Sequence, residues 1–453
     1  MEEWMNASLS DKITYRTAKV AVVGMGYVGL PLALAFAKAG FVTVGVEINI
    51  ERVEQLNAGH SYIEDIVDAE LLPHLHKGRL RATADYAVVR DCDAVFICVP
   101  TPYTIQRTPD LSYIISATEG IAPYLHAGQL IVLQSTTYPG TTTEDVQPIL
   151  ERVSGLSAAA EDFYLAFSPE RIDPGNQQWS AYNTPKVVGG LTPNATAAAA
   201  ALLRQMGAPV HEVSSPSAAE LTKLLENTFR AVNIALVNEM AQLAERMGID
   251  FWEVIDAAKT KPFGFMPFHP GPGVGGHCIP IDPYYLLWKA REYDFYTRFI
   301  ELAAETNEAM PYHVVDLVTR GLSLMGRSLH GARTLILGVA FKPDIGDSRD
   351  TPAERVIELL LGRGAEVQYH DSYVPTFHVG GNVFYNDALT LESTPLTDEV
   401  LEAVDVVAIV TGHHNVDYGR VLQRASLVVD SCYATRGFTG AARVVRLGAP
   451  LTL

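Results

Sequence analysis

The fold is decided near the amino terminus, where the sequence reads Lys19-Val20-Ala21-Val22-Val23-Gly24-Met25-Gly26-Tyr27-Val28-Gly29. The apolar residues before Gly24 predict a buried β-strand, and the helical spacing of residues 30–39, stopped by Gly40, predicts a helix. Between them stands Gly-x-Gly-x-x-Gly, whose glycines permit a tight turn and let pyrophosphate approach the free amides at the helix start. This stretch therefore predicts the first strand and helix of a dinucleotide-binding domain.

An acidic residue supports this interpretation and selects the cofactor. A second predicted strand, residues 42–46, ends at Glu47, at a distance from the glycines that suits an acceptor for the adenosine ribose hydroxyls. A carboxylate there would repel a 2′-phosphate, so we predict NAD in preference to NADP. Arg52 weakens that preference, because a nearby cation could offset the charge. The NAD contacts predicted from this stretch are Gly24, Gly26, Tyr27, Val28, Gly29, Glu47 and Arg52.

Length and composition exclude several classes of protein. The chain has 453 residues, 48% of them hydrophobic and 19% charged, so it is expected to be globular with two or three domains. Its 34 basic and 52 acidic residues give a net charge of -18, which disfavours nucleic acid and anionic membranes as partners. No apolar segment reaches the roughly 18 residues that span a bilayer, and the amino terminus lacks the pattern of an export signal.

Cysteine usage indicates the compartment. Cys92, Cys98, Cys278 and Cys432 are too few and too scattered for a disulfide framework, and no Cys-x-x-Cys pair suggests zinc, so no metal is predicted. A reducing, cytoplasmic location is expected. Cys98 falls inside a predicted strand, residues 93–99, and is expected to belong to the core.

Further strands in the first half predict a sheet whose ends carry polar residues. After the strand at 93–99 come a strand at 130–134 and another that begins at Leu165. Ligands of open α/β sheets bind at the carboxyl ends of the strands. The residues that follow these strands are Pro100, Thr101, Thr136 and Glu170.

The C-terminal part repeats this plan without the glycine fingerprint. Predicted strands at 333–338 and 364–371 flank a helix at 351–362, and the second strand ends in an acid. After the first strand come Lys342 and Arg349, which are the local cations that an anionic ligand needs in an acidic protein. This half is predicted to be a Rossmann-type domain adapted to another anionic ligand. The alternative is that both side chains are solvated surface charges.

Two long helical patterns, residues 217–247 and 296–325, lie between the halves and suggest either a dimer interface or a bridge within one chain. On the first, Lys223 and Asn227 are four positions apart and share one face. The predicted fold class is α/β, with two Rossmann-like domains joined by a long-helix central region. The expected domains are 1–213 for NAD binding, 214–328 for the central helices and a cysteine loop, and 329–453 for the second ligand.

The cysteine loop is the Gly/Pro-rich segment 271–283, which presents Cys278 and, four residues later, Asp282. Glycines let backbone amides approach a ligand closely, and a thiol held there can act as a nucleophile if a base or cation lies near it. The alternative is a buried structural cysteine beside a tight turn.

Five motifs occur in a fixed order: the NAD fingerprint, Ser-Pro-Glu170, the Lys223/Asn227 helix, Gly-Gly-His-Cys278-Ile-Pro-Ile-Asp282, and Phe-Lys342-Pro-Asp-x-x-Asp-x-Arg349. With them the chain resembles the UDP-glucose/GDP-mannose dehydrogenase family over essentially its whole length. The resemblance implies a four-electron oxidation of the C6 alcohol of a nucleotide sugar to a carboxylate, with two NAD turnovers and a thioester on Cys278.

The resemblance also implies a role for each motif residue. A water held by Asp282 and Lys223 takes the alcohol proton, Thr136 holds the hydrolytic water, and Glu170 assists its attack. The implied catalytic residues are Cys278, Lys223, Asn227, Asp282, Glu170 and Thr136, with Lys223 and Asn227 stabilising oxyanions. The implied substrate contacts are Glu170, Arg171, Lys223, Asn227, Gly275 and Lys342. The NAD contacts gain Pro100, Thr101, Thr136 and Arg349.

Residues next to the cysteine point to a branch of the family. Members that act on UDP-glucose usually have Ser and Lys where this chain has His277 and Ile281, and the segment looks most like the UDP-N-acetylglucosamine branch. UDP-glucose or dTDP-glucose is the alternative substrate, because a single hydroxyl or acetamido contact decides between them. We expect His277 to shape the loop or contact the sugar, since adjacent loop residues such as His277 and Cys278 seldom face each other.

One position departs from the family pattern. Some members carry a second glutamate four residues after the one that matches Glu170, and here that position is Pro174. Hydrolysis would then depend on Glu170 unless Asp173 substitutes. Two other functions stay open, a β-hydroxyacid dehydrogenase and a non-catalytic nucleotide-binding protein, although the first leaves the second half and Cys278 unexplained.

Overall fold

The computed structural model describes residues 7–63, 66–104, 107–172, 178–180 and 182–451. The chain forms two compact units. Unit 1 comprises Met1–Glu226 and Tyr284–Phe295, and unit 2 comprises Asn227–Pro283 and Tyr296–Leu453. The three-domain division expected from the sequence stays a prediction.

Unit 1 is built on an eight-stranded sheet in the order β3-β2-β1-β4-β5-β6-β7-β8. Its strands are β1 Lys19–Val23, β2 Val42–Val46, β3 Leu80–Thr83, β4 Ala94–Ile97, β5 Leu130–Leu133, β6 Tyr164–Phe167, β7 Lys186–Gly190 and β8 Val210–Val213. All neighbours pair in parallel except β6 and β7, which are antiparallel. The predicted α/β fold with a Rossmann-like parallel sheet is confirmed.

Both faces of this sheet are buried, which explains the continuous apolar runs in its strands. Val20 and Val22 of β1 pack into one core, whereas Ala21 and Val23 pack into the core on the opposite face. The helices that cover the sheet are α1 Leu9–Thr14, α2 Gly29–Ala39, α3 Ile50–Asn57, α4 Asp68–His76, α5 Ser112–Ile121, α6 Gln147–Ser154 and α7 Pro193–Arg204. Unit 1 also contains short 3₁₀ helices at Tyr86–Asp91 and Ala122–Tyr124 and a π-helical segment at Thr142–Val146.

Unit 2 contains a five-stranded parallel sheet in the order β10-β9-β13-β14-β15 and a separate antiparallel pair, β11 and β12. Its strands are β9 Arg333–Leu337, β10 Glu366–His370, β11 Thr376–Val379, β12 Leu389–Glu392, β13 Val406–Ile409, β14 Leu427–Asp430 and β15 Arg443–Arg446. This sheet confirms the predicted second Rossmann-like half.

Two long helices stand where the sequence predicts them. Helix α8, Pro216–Met247, starts in unit 1 and continues into unit 2, and helix α11, Arg298–Leu324, lies in unit 2. Met310 and Val314 of α11 join the buried core of the second sheet. The remaining helices are α9 Phe251–Ala258, α10 Asp282–Ala290, α12 Pro352–Gly362, α13 Asp398–Ala403 and α14 Tyr418–Arg424, with a 3₁₀ turn at Arg291–Tyr293. Within the described ranges, no helix combines the length and apolar character needed to cross a membrane.

Candidate active site

The phosphate-binding turn shows why each of its glycines is needed. Gly24 has φ +87°, and a Cβ there would lie 2.7 Å from the carbonyl oxygen of Cys98. A Cβ on Gly29 would lie 1.8 Å from the carbonyl oxygen of Gly24. The fold itself therefore requires Gly24 and Gly29. Around Gly26, in contrast, a Cβ would meet nothing within 4 Å, so its missing side chain leaves an open cradle that a pyrophosphate fits.

The start of α2 adds an anion-binding group to this cradle. Its N-cap residue, Val28, makes no side-chain hydrogen bond to the first turn, and no acidic residue stands there. Amides at a helix start that lack side-chain acceptors, together with the helix dipole, favour a bound phosphate. Tyr27, the residue before the N-cap, is 44% exposed at this turn.

Glu47 lies beside the turn at the end of β2 and is fixed there. Its two carboxylate oxygens accept the amides of Met25 at 3.1 Å and Asn49 at 3.0 Å, and only 8% of the residue is exposed. The guanidinium of Arg52 lies over the ring of Tyr62, 5.2 Å from its centre. Burial and, next, the nearby Glu47 raise the pKa of Tyr62. Glu47 is thus held in a fixed position beside the turn.

Five other predicted residues of unit 1 lie at the same edge of the sheet, because the parallel strands β1, β4, β5 and β6 all end there. Thr101 follows β4, and its carbonyl accepts the hydroxyl of Tyr285. Thr136 follows β5, and its neighbour Ser135 donates to the carbonyl of Val99 at 2.7 Å. Pro100, Thr101, Thr136, Glu170 and Arg171 are therefore gathered along one edge with the phosphate turn.

Glu170, at the same edge, is a buried carboxylate with several hydrogen-bond donors around it. It is 8% exposed, and the ammonium of Lys186 lies 3.1 Å from both of its oxygens. The Gln134 side chain donates to Oε2 at 2.8 Å, and the amides of residues 171 and 172 donate to Oε1 at 2.8 and 3.0 Å. Burial by itself would raise the pKa of Glu170, but Lys186 and the two amides outweigh it and hold that pKa below its ordinary value. The carboxylate is therefore ionised at neutral pH.

Arg171, a predicted substrate contact, has protein partners. Its guanidinium donates to the carboxylate of Glu226 at 2.5 and 3.2 Å and to the carbonyl of Pro185 at 2.8 Å. Glu226 belongs to α8, the helix that also carries Lys223. Arg171 thus ties the loop after β6 to that helix. Asp173 and Pro174 lie outside the described residues.

In unit 2 the glycines of the cysteine loop are required by close packing. A Cβ on Gly275 would lie 2.8 Å from Pro352 and 2.9 Å from Phe341. Gly276 has φ +84°, and a Cβ there would lie 2.9 Å from the Phe341 ring. The amide of Gly276 donates to the carbonyl of Arg349 at 3.2 Å. The loop therefore packs on the segment that follows β9 and carries Lys342 and Arg349.

Three predicted catalytic residues meet where α10 begins. The carbonyl of Cys278 accepts the amides of Ile281 at 3.1 Å and Asp282 at 2.8 Å, so the cysteine stands one turn before the helix. The carboxylate of Asp282, which is 2% exposed, accepts the side-chain amide of Asn227. Lys223 lies one turn before Asn227 on α8. Asn227, one member of the i,i+4 pair that carried little information in the sequence, is thus linked to the cysteine loop through Asp282.

The thiols differ in their surroundings. Cys278 is partly exposed, whereas Cys92 and Cys98 are buried. Burial raises the pKa of Cys92 to about 12, and burial followed by the charge of Glu170 also raises the pKa of Cys98. Both stay protonated and unreactive, as the core position of Cys98 predicts.

The charged residues near the loop form a small cluster. Arg349, a predicted cofactor contact, donates to the carboxylate of Asp347 at 2.9 Å. Burial would raise the pKa of Asp347, but Arg349 and also His277 lower it below its ordinary value. His277 therefore lies within electrostatic range of Asp347. Lys342, a predicted substrate contact, is partly exposed on the same connection after β9.

The acid that ends β10, Asp371, is the counterpart of Glu47 but has no capacity left for a ligand. One of its oxygens accepts the amides of residues 339 and 340 at 2.8 and 3.1 Å and contacts His413 Nε2 at 2.9 Å. The other accepts the amides of residues 373 and 374 at 2.8 and 3.1 Å. These bonds occupy both carboxylate oxygens of Asp371 with groups of the protein itself.

Sequence reasoning missed two members of the site, Lys186 and Gln134. Lys186 is the first residue of the short segment Lys-Val-Val-Gly-Gly, and the pattern predicts an exposed lysine at the end of a strand. Gln134 ends an apolar strand and carries no motif. Within the part of the chain that the structure describes, no group of His, Cys, Asp and Glu is arranged to hold a metal.

Comparison with known proteins adds to this geometry. Sequence profiles of the UDP-glucose/GDP-mannose dehydrogenase family match in three parts: the NAD binding domain at 18–207, the central domain at 217–309 and the UDP binding domain at 335–436. A UDP-N-acetyl-D-glucosamine 6-dehydrogenase from Pseudomonas aeruginosa is 39% identical over 359 residues, which cover 79% of this chain and 83% of that protein.

Solved structures show the same similarity. A UDP-D-ManNAc dehydrogenase from Pyrococcus horikoshii matches with a TM-score of 0.85 and 32% identity, covering 95% of this chain and 99% of that one. A UDP-glucose dehydrogenase from Pyrobaculum islandicum matches with a TM-score of 0.83 and 28% identity, covering 95% and 98%. The names of these proteins carry three different sugars.

Proposed function

Since the chain belongs to the UDP-glucose/GDP-mannose dehydrogenase family, we propose that its NAD-dependent dehydrogenation of a nucleotide sugar is the four-electron oxidation of the C6 hydroxyl of UDP-N-acetylglucosamine to a carboxylate. The observation that carries this proposal is the position of Cys278, partly exposed one turn before α10, with the buried Asn227–Asp282 pair at the start of that helix. A thiol next to a buried carboxylate and amide is suited to covalent chemistry on an aldehyde.

The first oxidation needs a group that removes the alcohol proton. We assign it to a water held by Asp282 and Lys223, because Asp282 is buried and ionisable and Lys223 lies on the helix that carries its partner Asn227. Bound NAD supplies the acceptor for the hydride in this oxidation and in the next. Gly26 and Glu47 hold the pyrophosphate and the ribose of that cofactor.

The second oxidation proceeds through Cys278. Its thiolate adds to the aldehyde carbon, and the Lys223 ammonium and Asn227 amide stabilise the oxyanion that forms. Loss of a second hydride from this thiohemiacetal leaves a thioester. Water held by Thr136 then attacks the thioester carbon, the carbon–sulfur bond breaks, and Glu170 takes one proton from the water. A covalent intermediate keeps the reactive aldehyde from escaping.

The choice of sugar rests on His277 and Ile281 and on the similarity to a UDP-N-acetyl-D-glucosamine enzyme. UDP-glucose or dTDP-glucose is the second candidate, favoured by the structural match to a UDP-glucose dehydrogenase. NADH formation should be measured with UDP-N-acetylglucosamine, UDP-N-acetylmannosamine, UDP-N-acetylgalactosamine, UDP-glucose, dTDP-glucose and GDP-mannose. The proposal requires the highest kcat/KM with UDP-N-acetylglucosamine and two NADH per acid formed. A better turnover of GDP-mannose would refute the assignment to this branch.

The thioester is tested at Cys278 with a matched cysteine as control. Cys278→Ser should lower acid formation by at least about 1,000-fold, because serine is a far weaker nucleophile at neutral pH. Cys432, which is also partly exposed and lies in the same unit, is replaced by Ser as the control and should leave turnover unchanged. Acid formation by Cys278→Ser at the rate of the Cys432→Ser control would exclude the thioester.

We also propose that the chain acts as a homodimer through α8. Within unit 2 this helix exposes an apolar stripe, since residues seven, four, three and four positions apart fall on one face. Their exposed fractions are Phe229 45%, Leu236 55%, Met240 39%, Leu243 46% and Met247 62%. Leu243→Glu should shift sedimentation equilibrium from dimer to monomer. Val383→Glu changes another exposed apolar residue, 80% accessible, and should leave the dimer intact.

A further inference from the structure

The structure assigns a role in the reaction to a residue that no motif of the sequence contains. We propose that Lys186 is a positioning residue: its ammonium holds Glu170 in place as an ionised carboxylate, ready to take a proton from the water that hydrolyses the thioester. This inference rests on the proposed function, because the thioester belongs to it.

Lys186 and Glu170 form a buried ion pair. Lys186 is 1% exposed, and its ammonium lies 3.1 Å from each oxygen of Glu170. Lys186 opens β7, the strand that runs antiparallel to β6, so its side chain reaches the edge where β6 ends and Glu170 follows. A lysine so fully removed from water is costly unless it is paired. The ion pair with Glu170 therefore compensates for the burial of the Lys186 ammonium.

An unsatisfied acceptor next to the pair indicates that the cluster serves a ligand. Gln134 is 2% exposed and donates its amide to Glu170 Oε2 at 2.8 Å, which fixes the orientation of the side chain. Its Oε1 is buried and has no hydrogen-bond partner among the described residues. Buried polar atoms are rarely left without a partner. A water that donates to Gln134 Oε1 would lie next to the carboxylate that is to receive its proton.

Without Lys186 the carboxylate would lose its compensating charge. Burial favours the neutral form of a carboxyl group, and in this protein Lys186 is the largest influence that opposes burial at Glu170. The other described titratable groups near Glu170 are the buried thiol of Cys98 and the guanidinium of Arg171, which is paired with Glu226. A protonated Glu170 cannot accept a proton, so hydrolysis would then require a higher pH.

The test is the pH dependence of thioester hydrolysis in Lys186→Met. The full-length enzyme is mixed with UDP-N-acetylglucosamine and NAD, quenched at intervals, and the sugar adduct on Cys278 is quantified by intact-protein mass spectrometry. We expect the adduct to accumulate at pH 7, with hydrolysis slowed at least about tenfold. The acidic limb of the pH–rate profile, where the hydrolysis rate falls at low pH, should move up by at least about one pH unit. Raising the pH should speed hydrolysis, so that less of the adduct accumulates.

Three variants separate this role from a structural one. Lys186→Arg keeps the positive charge and should keep the acidic limb near its wild-type position. The double variant Lys186→Met/Glu170→Gln removes both buried charges, so it should unfold at a higher temperature than Lys186→Met without recovering hydrolysis. Lys289, which is 4% exposed and paired with Glu144 and Glu292 in the same unit, is the matched control. Lys289→Met should lower the melting temperature and leave the acidic limb unmoved.

Two results would overturn the proposal. One is a Lys186→Met enzyme whose hydrolysis falls equally at every pH, since a purely structural defect does that. The other is slowed turnover without any adduct on Cys278, which would place Lys186 in an earlier step. Failure of the proposed function is a separate result, recognised when the wild-type enzyme does not form two NADH per acid.

Discussion

Replacing Gly26 by Ala should separate cofactor binding from folding within a single motif. A Cβ on Gly24 or Gly29 collides with backbone at 2.7 and 1.8 Å, whereas a Cβ on Gly26 would meet no protein atom within 4 Å. Gly26 also lies outside the glycines with positive φ, so alanine can adopt its backbone conformation. The added methyl group would protrude only into the space where the pyrophosphate approaches the start of α2.

The magnitudes follow from these distances. Gly26→Ala should change the free energy of unfolding by less than about 1 kcal/mol and can raise it, because alanine has less freedom in the unfolded chain. NAD binding should weaken at least about tenfold, equivalent to about 1.4 kcal/mol, since the methyl group keeps the pyrophosphate from the helix amides. Gly24→Ala should instead cost stability, about 1–2 kcal/mol for the left-handed backbone alone.

Two measurements check this prediction. Urea unfolding without cofactor gives the free energy of unfolding, and titration with NAD gives the dissociation constant. Gly362→Ala, at the end of α12, adds a methyl group to a position that is equally open and should change neither quantity beyond the propensity gain. The reasoning is wrong if Gly26→Ala binds NAD as tightly as the wild type, or if it loses as much stability as Gly24→Ala.

Three further predictions concern other parts of the molecule. Glu47→Gln should weaken NAD binding about tenfold, measured by titration, because the amide loses charge-assisted hydrogen bonds to the ribose. Asp371→Asn should lower the free energy of unfolding by about 3 kcal/mol at pH 7. Burial would raise the pKa of Asp371, but its hydrogen bonds, first that with His413, outweigh burial and lower this pKa. The stabilisation by the Asp371 carboxylate is therefore present above about pH 4 and lost at lower pH. In that range the free energy of unfolding in urea should depend less on pH for Asp371→Asn than for the wild type. Gly276→Ala, which sets a Cβ 2.9 Å from the Phe341 ring, should displace the cysteine loop and reduce kcat, and Phe341→Leu in the same chain should recover part of it.

Local sequence was enough to predict the elements that carry the site. The strands at 19–23 and 42–46 and the helix of Gly29–Ala39 agree with the prediction to within a residue, because apolar periodicity and glycine stops act over a few neighbouring positions. Helix α8 also agrees to within a residue, and α11 starts two residues later than predicted. The cysteine loop was also predicted from its glycines, since close packing and positive φ leave few other residues possible.

Contacts between distant segments could not be read from the sequence. Lys186 meets Glu170 only because β7 runs antiparallel to β6, a reversal that the residues of β7 do not encode. Asp371 resembles Glu47 as an acid that follows a second strand. Its carboxylate, however, is hydrogen-bonded to backbone amides and to His413 of its own unit.

From the residues alone we predicted a dinucleotide site at Gly24–Gly29 and a cysteine presented in a glycine-rich loop. Both features depend on backbone conformations that few residues permit, so the residues reveal them directly. The three-dimensional contacts were needed to see which polar side chains are already hydrogen-bonded within the protein, as Asp371 is. That outcome depends on strand order, strand direction and burial, and these set whether a carboxylate such as Glu170 is ionised and what it can do.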